Sequence, residues 1–75
     1  MDKQTKVRII DSDEAEQQLY KCGIFLSSKE LRGQVVTKMN VRLLGLEERP
    51  GYLLVETIDG YRWWVPVSVV EELTN

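Results

Sequence analysis

Ile58-Asp59-Gly60-Tyr61-Arg62-Trp63-Trp64-Val65-Pro66-Val67-Ser68-Val69-Val70-Glu71-Glu72-Leu73 carries four structural signals in a row. Asp59-Gly60 is a strong short-range hairpin signal, because a two-residue type I′ loop needs positive φ at both central positions. Tyr61 to Val65 is aromatic and β-branched, the composition of a strand. Pro66 presets the backbone for one helical turn, and Val69-Val70 resumes an extended run. The segment predicts a small domain that ends in a hairpin, a helical turn and a short closing strand.

If Asp59 and Gly60 are the two central loop residues, residue 58 lies opposite 61, 57 opposite 62, 56 opposite 63 and 55 opposite 64. One face then holds Leu53, Val55 and Thr57 beside Arg62 and Trp64. The other holds Tyr52, Leu54, Glu56 and Ile58 beside Tyr61, Trp63 and Val65. A slip of one residue exchanges the two faces. The expected core pair is Trp64 with Val55, which leaves Tyr52, Tyr61 and Trp63 on an outer aromatic ledge. That ledge is either covered by the N-terminal helix and Phe25 as a second small core, or exposed as the partner-binding surface.

Upstream, Lys6 to Asp11 reads as a first strand around Val7 and Ile9. Ser12 or Asp13 can cap a helix that carries acids in its first turn and ends at Gly23. So short a helix is marginal alone and must be docked, through Leu19, Ile24, Phe25 and Leu26. Ser27 to Glu30 is a one-turn connector. Leu31 to Leu44 reads as a long strand, bent near Gly33, with mostly apolar odd positions 35, 37, 39, 41 and 43 and polar even positions 38, 40 and 42. Pro50-Gly51 suits a type II turn before a strand from Tyr52 to Ile58.

Trp63-Trp64, followed by Pro66, Ser68 and Val69-Val70, resembles the end of a Src-homology 3 domain. Leu31-Arg32-Gly33-Gln34-Val35 is similar to the Gly-x-Val strand of KOW-type barrels of the same architecture. The resemblance implies a mainly β fold: a small SH3-like five-stranded barrel, with a short N-terminal helix inserted after the first strand and residues 1–75 in one domain. In Src-homology 3 domains an intervening hairpin separates the tryptophan pair from the proline, whereas here they are almost adjacent. The first strand also lacks a tyrosine-bearing peptide-groove motif, so polyproline recognition does not carry over. The chain also resembles small SH3-like proteins of Gram-positive bacteria and their phages, which implies an accessory or inhibitor role.

Composition narrows the chemistry. The 75 residues are 43% hydrophobic and 29% charged, enough for one small core but not for a deep enclosed ligand cavity. The chain has no histidine and one cysteine, which leaves no Cys/His zinc site and no Ser-His-Asp or Cys-His nucleophile. Glycines are scattered, so no phosphate loop is present. No catalytic residue, metal ligand or cofactor is expected. With no run of about 18 apolar residues and no signal-peptide core, the expected location is the cytoplasm, away from membranes.

Two binding classes remain. A protein partner, engaged through Tyr52, Tyr61 and Trp63, fits the aromatic residues and the net charge of −2. The alternative is nucleic acid, held by Arg32, Lys38 and Arg42, which share a parity on the long strand and would form a basic stripe. The acids Asp11, Asp13, Glu14 and Glu16 read as a solvated helix start. Oligomeric state is not encoded in any of these features.

Overall fold

The structure, a computed structural model, describes residues 5–25 and 27–73; the expected docking residue Leu26 lies outside them. It is mainly β. Strands β1 (Thr5–Ile9), β2 (Val35–Lys38), β3 (Tyr52–Glu56), β4 (Arg62–Pro66) and β5 (Val70–Glu72) form one antiparallel sheet in the order β4-β3-β2-β1-β5. Helices α1 (Asp13–Lys21) and α2 (Ser28–Leu31) lie between β1 and β2, and a 3₁₀ turn at Val67–Val69 joins β4 to β5. Among the described residues β4 and β5 do not pair, so the sheet is open.

Local chemistry explains most element boundaries. Ser12 is the N-cap of α1, its hydroxyl accepting the Ala15 N–H, and Asp13, Glu14 and Glu16 complement the helix dipole. In the turn before β3 the Tyr52 N–H donates to the Arg49 carbonyl, and Gly51 has φ +84°, as a type II turn with Pro at its second position requires. Pro66 starts the 3₁₀ turn, whose Ser68 hydroxyl donates to Gln18 and ties α1 to the sheet's closing segment.

The core lies between one face of the sheet and the helices. Val7, Ile9, Val36, Val55, Val65 and Val69 pack against Ala15, Leu19, Ile24 and Leu31, with Leu53 and Trp63 partly buried against them. Burying a Val or Leu side chain contributes about 1.5–3 kcal/mol, so this cluster carries the stability that α1 lacks by itself.

Two expectations fail here. The hairpin loop has three residues, not two. Thr57 N–H donates to the Tyr61 carbonyl and Gly60 N–H to the Thr57 carbonyl, while only Gly60, at φ +92°, is left-handed. That is a type I turn followed by a bulged glycine. The pairs are therefore Val55↔Trp63 and Leu54↔Trp64, shifted by one residue, and the faces exchange. Trp63, not Trp64, shares the core side with Val55. The observed register seats Val65 in the core, fully buried, and leaves Arg62 outside, where it pairs with Glu56 across the strands at 3.0 Å. The expected register would have turned the Arg62 charge inward, at a cost that no partner there offsets.

The long strand also stops early. β2 ends at Lys38, and Asn40 Oδ1 accepts the N–H groups of Arg42 and Leu43, which winds the chain into turns. A short polar side chain that bonds its own backbone competes with the ladder. The inward parity of β2 is even, since Val36 pairs with Val7 in the core while Val35 is exposed.

Candidate binding grooves

The expected aromatic ledge is divided between two sites. Tyr61 and Trp63 border a shallow groove of about 370 Å³ with Ser27, Glu30 and Leu31 of the α2 region, Gln34, Thr57 and Asp59. Tyr61 is 64% exposed, whereas Trp63 leans on the core. Trp63 packs against the core cluster to which both helices contribute, Ala15 and Leu19 from α1 and Leu31 from α2. Phe25, expected to cover the ledge, is itself exposed and packs edge-on against Tyr20 at 4.8 Å.

Tyr52 belongs elsewhere. With Leu53, Leu54 and Trp64 it lines a larger open groove of about 610 Å³, completed by Thr5, Lys38, Met39, Asn40, Val41, Glu48, Arg49 and Pro50. The residues come together for local reasons. The Asn40 turn and the Pro50-Gly51 turn reverse the chain on either side of the 41–48 segment, so both its ends reach the mouth of the β3–β4 pair. Between those ends the segment exposes Leu43, Leu44 and Leu46.

Trp64 is the central aromatic of this groove. The Arg49 guanidinium stacks over its ring at 4.8 Å, within cation–π range. Arg49 and Lys38 form no ion pair among the described residues, while Glu48 is drawn to Arg42 at 3.3 Å. The groove therefore offers two cations that no described acid pairs, in a chain whose net charge is −2. Cys22 Sγ lies 4.0 Å from the Tyr52 hydroxyl and holds the phenol's pKa above its ordinary value, with Arg49 pulling weakly the other way.

The basic stripe does not form. Arg32 contacts Asp11, Asp13 and Glu16, each at 2.8 Å, and these carboxylates, Glu16 foremost, raise its pKa further. Arg42 sits in the turn segment beyond β2, on Glu48. Lys38 lines the larger groove. The acids near the start of α1 thus converge on a guanidinium, and among the described residues no group of three or more His, Cys, Asp or Glu is arranged to hold a metal ion.

Sequence reasoning missed Arg49. Its only trace was position, next to a Pro-Gly turn that folds it back over β4. No protein-family model, curated protein or solved structure matches the chain. No helix among the described residues is long and apolar enough to cross a membrane.

Proposed function

We propose that this domain is a binding module that engages a protein partner and performs no catalysis, built as a small SH3-like barrel and working in the cytoplasm. The strand order β5-β1-β2-β3-β4, with a 3₁₀ turn before the last strand, supports the SH3-like outline. The absence of histidine from the chain supports a non-enzymatic role. An accessory or inhibitor role, as in small phage proteins, rests on resemblance alone.

One observation carries the protein-partner reading. The larger groove sets Trp64 and half-exposed Tyr52 beside a segment that holds Leu43, Leu44 and Leu46 out in water. Grouped apolar side chains at a surface mark interaction sites, and Trp and Tyr dominate binding hot spots. Capture from a bacterial lysate, with nuclease present, tests the reading. A protein retained by the wild type and lost with Trp64→Ala or Leu43→Asp is the expected result. Retention by both variants excludes the groove.

The second reading, single-stranded nucleic acid, draws on Lys38 and Arg49 near the Trp64 ring, since stacking beside cations is how small barrels hold single strands. It has lost Arg32 and Arg42, both engaged by acids. Binding that falls steeply with salt would favour it.

A further inference from the structure

The geometry points to an extended, acidic segment of another protein, with apolar side chains between its acids, as the occupant of the Trp64 groove. This deepens the protein-partner reading and rests on it.

Charge selects the acidic character. Among the described residues Arg32 pairs with Asp11, Asp13 and Glu16, Arg62 with Glu56, Arg42 with Glu48 and Arg8 with Glu71. Among the described residues Lys38 and Arg49 form no ion pair, and the acid that shares their groove, Glu48, sits on Arg42. A carboxylate entering beside Trp64 would meet the Arg49 fork, whose planar N–H groups can donate to it bidentately. The rest of the lining selects apolar side chains, because Met39, Val41, Pro50, Leu53 and Leu54 surround the two cations.

Backbone geometry selects the extended form. β4 is an edge strand. Since Thr57 bonds Tyr61, the antiparallel alternation makes Val55–Trp63 and Leu53–Val65 the exchanging pairs. The N–H and C=O groups of Arg62 and Trp64 then point away from β3. Among the described residues they meet no other backbone group. An added strand would satisfy them and set its alternate side chains beside Trp64, the residue of β4 that lines the groove.

The test is selection of a displayed library of random linear peptides on the full chain, in parallel with the charge-reversed variant Arg49→Glu. The wild type should enrich peptides with Asp or Glu beside Leu, Ile or Phe. Arg49→Glu should weaken the best of these by about tenfold or more and enrich Lys or Arg instead. With the best peptide bound, the Trp64 amide should gain protection from solvent exchange. Three results overturn the inference. Enriched peptides without an acidic bias, or with one that Arg49→Glu leaves unchanged, would remove the acidic occupant and keep the protein-partner reading. No peptide enrichment, with salt-sensitive binding of an oligothymidylate, would remove both. A concentration-dependent dimer in sedimentation that Arg49→Glu abolishes would assign the groove to a second copy of the chain.

Discussion

Replacing Ile58 by proline should stabilise the domain, which runs against the usual effect of proline beside a strand. Ile58 is the second residue of the Thr57–Gly60 type I turn, 93% exposed, and its N–H donates to no backbone carbonyl outside the strand ladder. Proline is favoured at that position, and Thr57 before it is already extended at the strand end. The gain comes from restricting the unfolded chain, about 0.4–1 kcal/mol. With an unfolding entropy of about 2.1 cal/mol/K per residue, this 75-residue chain has an unfolding entropy of roughly 0.16 kcal/mol/K, so Tm should rise by about 3–6 °C. Calorimetry of the two proteins, with van't Hoff and calorimetric enthalpies compared, reads this directly. The two-residue loop predicts the opposite sign, because Ile58 and Tyr61 would then exchange backbone hydrogen bonds and proline would delete one. A Tm lowered by several degrees would refute the three-residue loop and the whole face assignment that follows from it.

Trp63→Ala should cost about 3 kcal/mol, the lower end for aromatic core truncations, and Trp64→Ala only about 1–2 kcal/mol, the loss of its Arg49 stack and its cover over Leu54; urea midpoints in the reverse order would contradict the observed register. Gly60→Ala should destabilise by about 1–2 kcal/mol through backbone conformation alone, since an added Cβ meets nothing within 4 Å, and a D-alanine placed there by synthesis should be tolerated. Arg32→Gln should lower Tm, and the gap to wild type should shrink at high salt; a gap that ignores salt would mean Arg32 acts through packing instead. Tyr52 has a raised pKa in the fold, so its contribution is complete below about pH 10 and is lost as pH rises beyond that; Tyr52→Phe should remove this part of the alkaline loss seen in urea midpoints between pH 9 and 11.

The sequence alone determined most features whose cause lies within a few residues. Ser12 and its trailing acids mark the start of α1, Pro50-Gly51 sets a turn, Pro66 starts the 3₁₀ segment, and the alternation around Val7 and Ile9 gives β1. In the cap, the turn and the 3₁₀ segment the bonding partners are neighbours in the chain. In β1 the side-chain alternation is itself local, although its partners β2 and β5 are distant. Asn40 was local too, but its side-chain bonds to Arg42 and Leu43 competed with a convincing strand alternation, and the alternation was misleading. The hairpin register could not be read from Asp59-Gly60, because two-residue and three-residue loops both accept that pair. What separates them is which of Val65 or Arg62 turns toward Leu19 and Ile24, residues distant in sequence. Likewise Arg32 was legible as a cation, but not as the partner of acids 16 to 21 positions earlier. Tertiary structure decided these points because a one-residue slip leaves every local propensity intact and changes only which side chains leave water, and burial of a valine rather than a charge outweighs the difference between two turns.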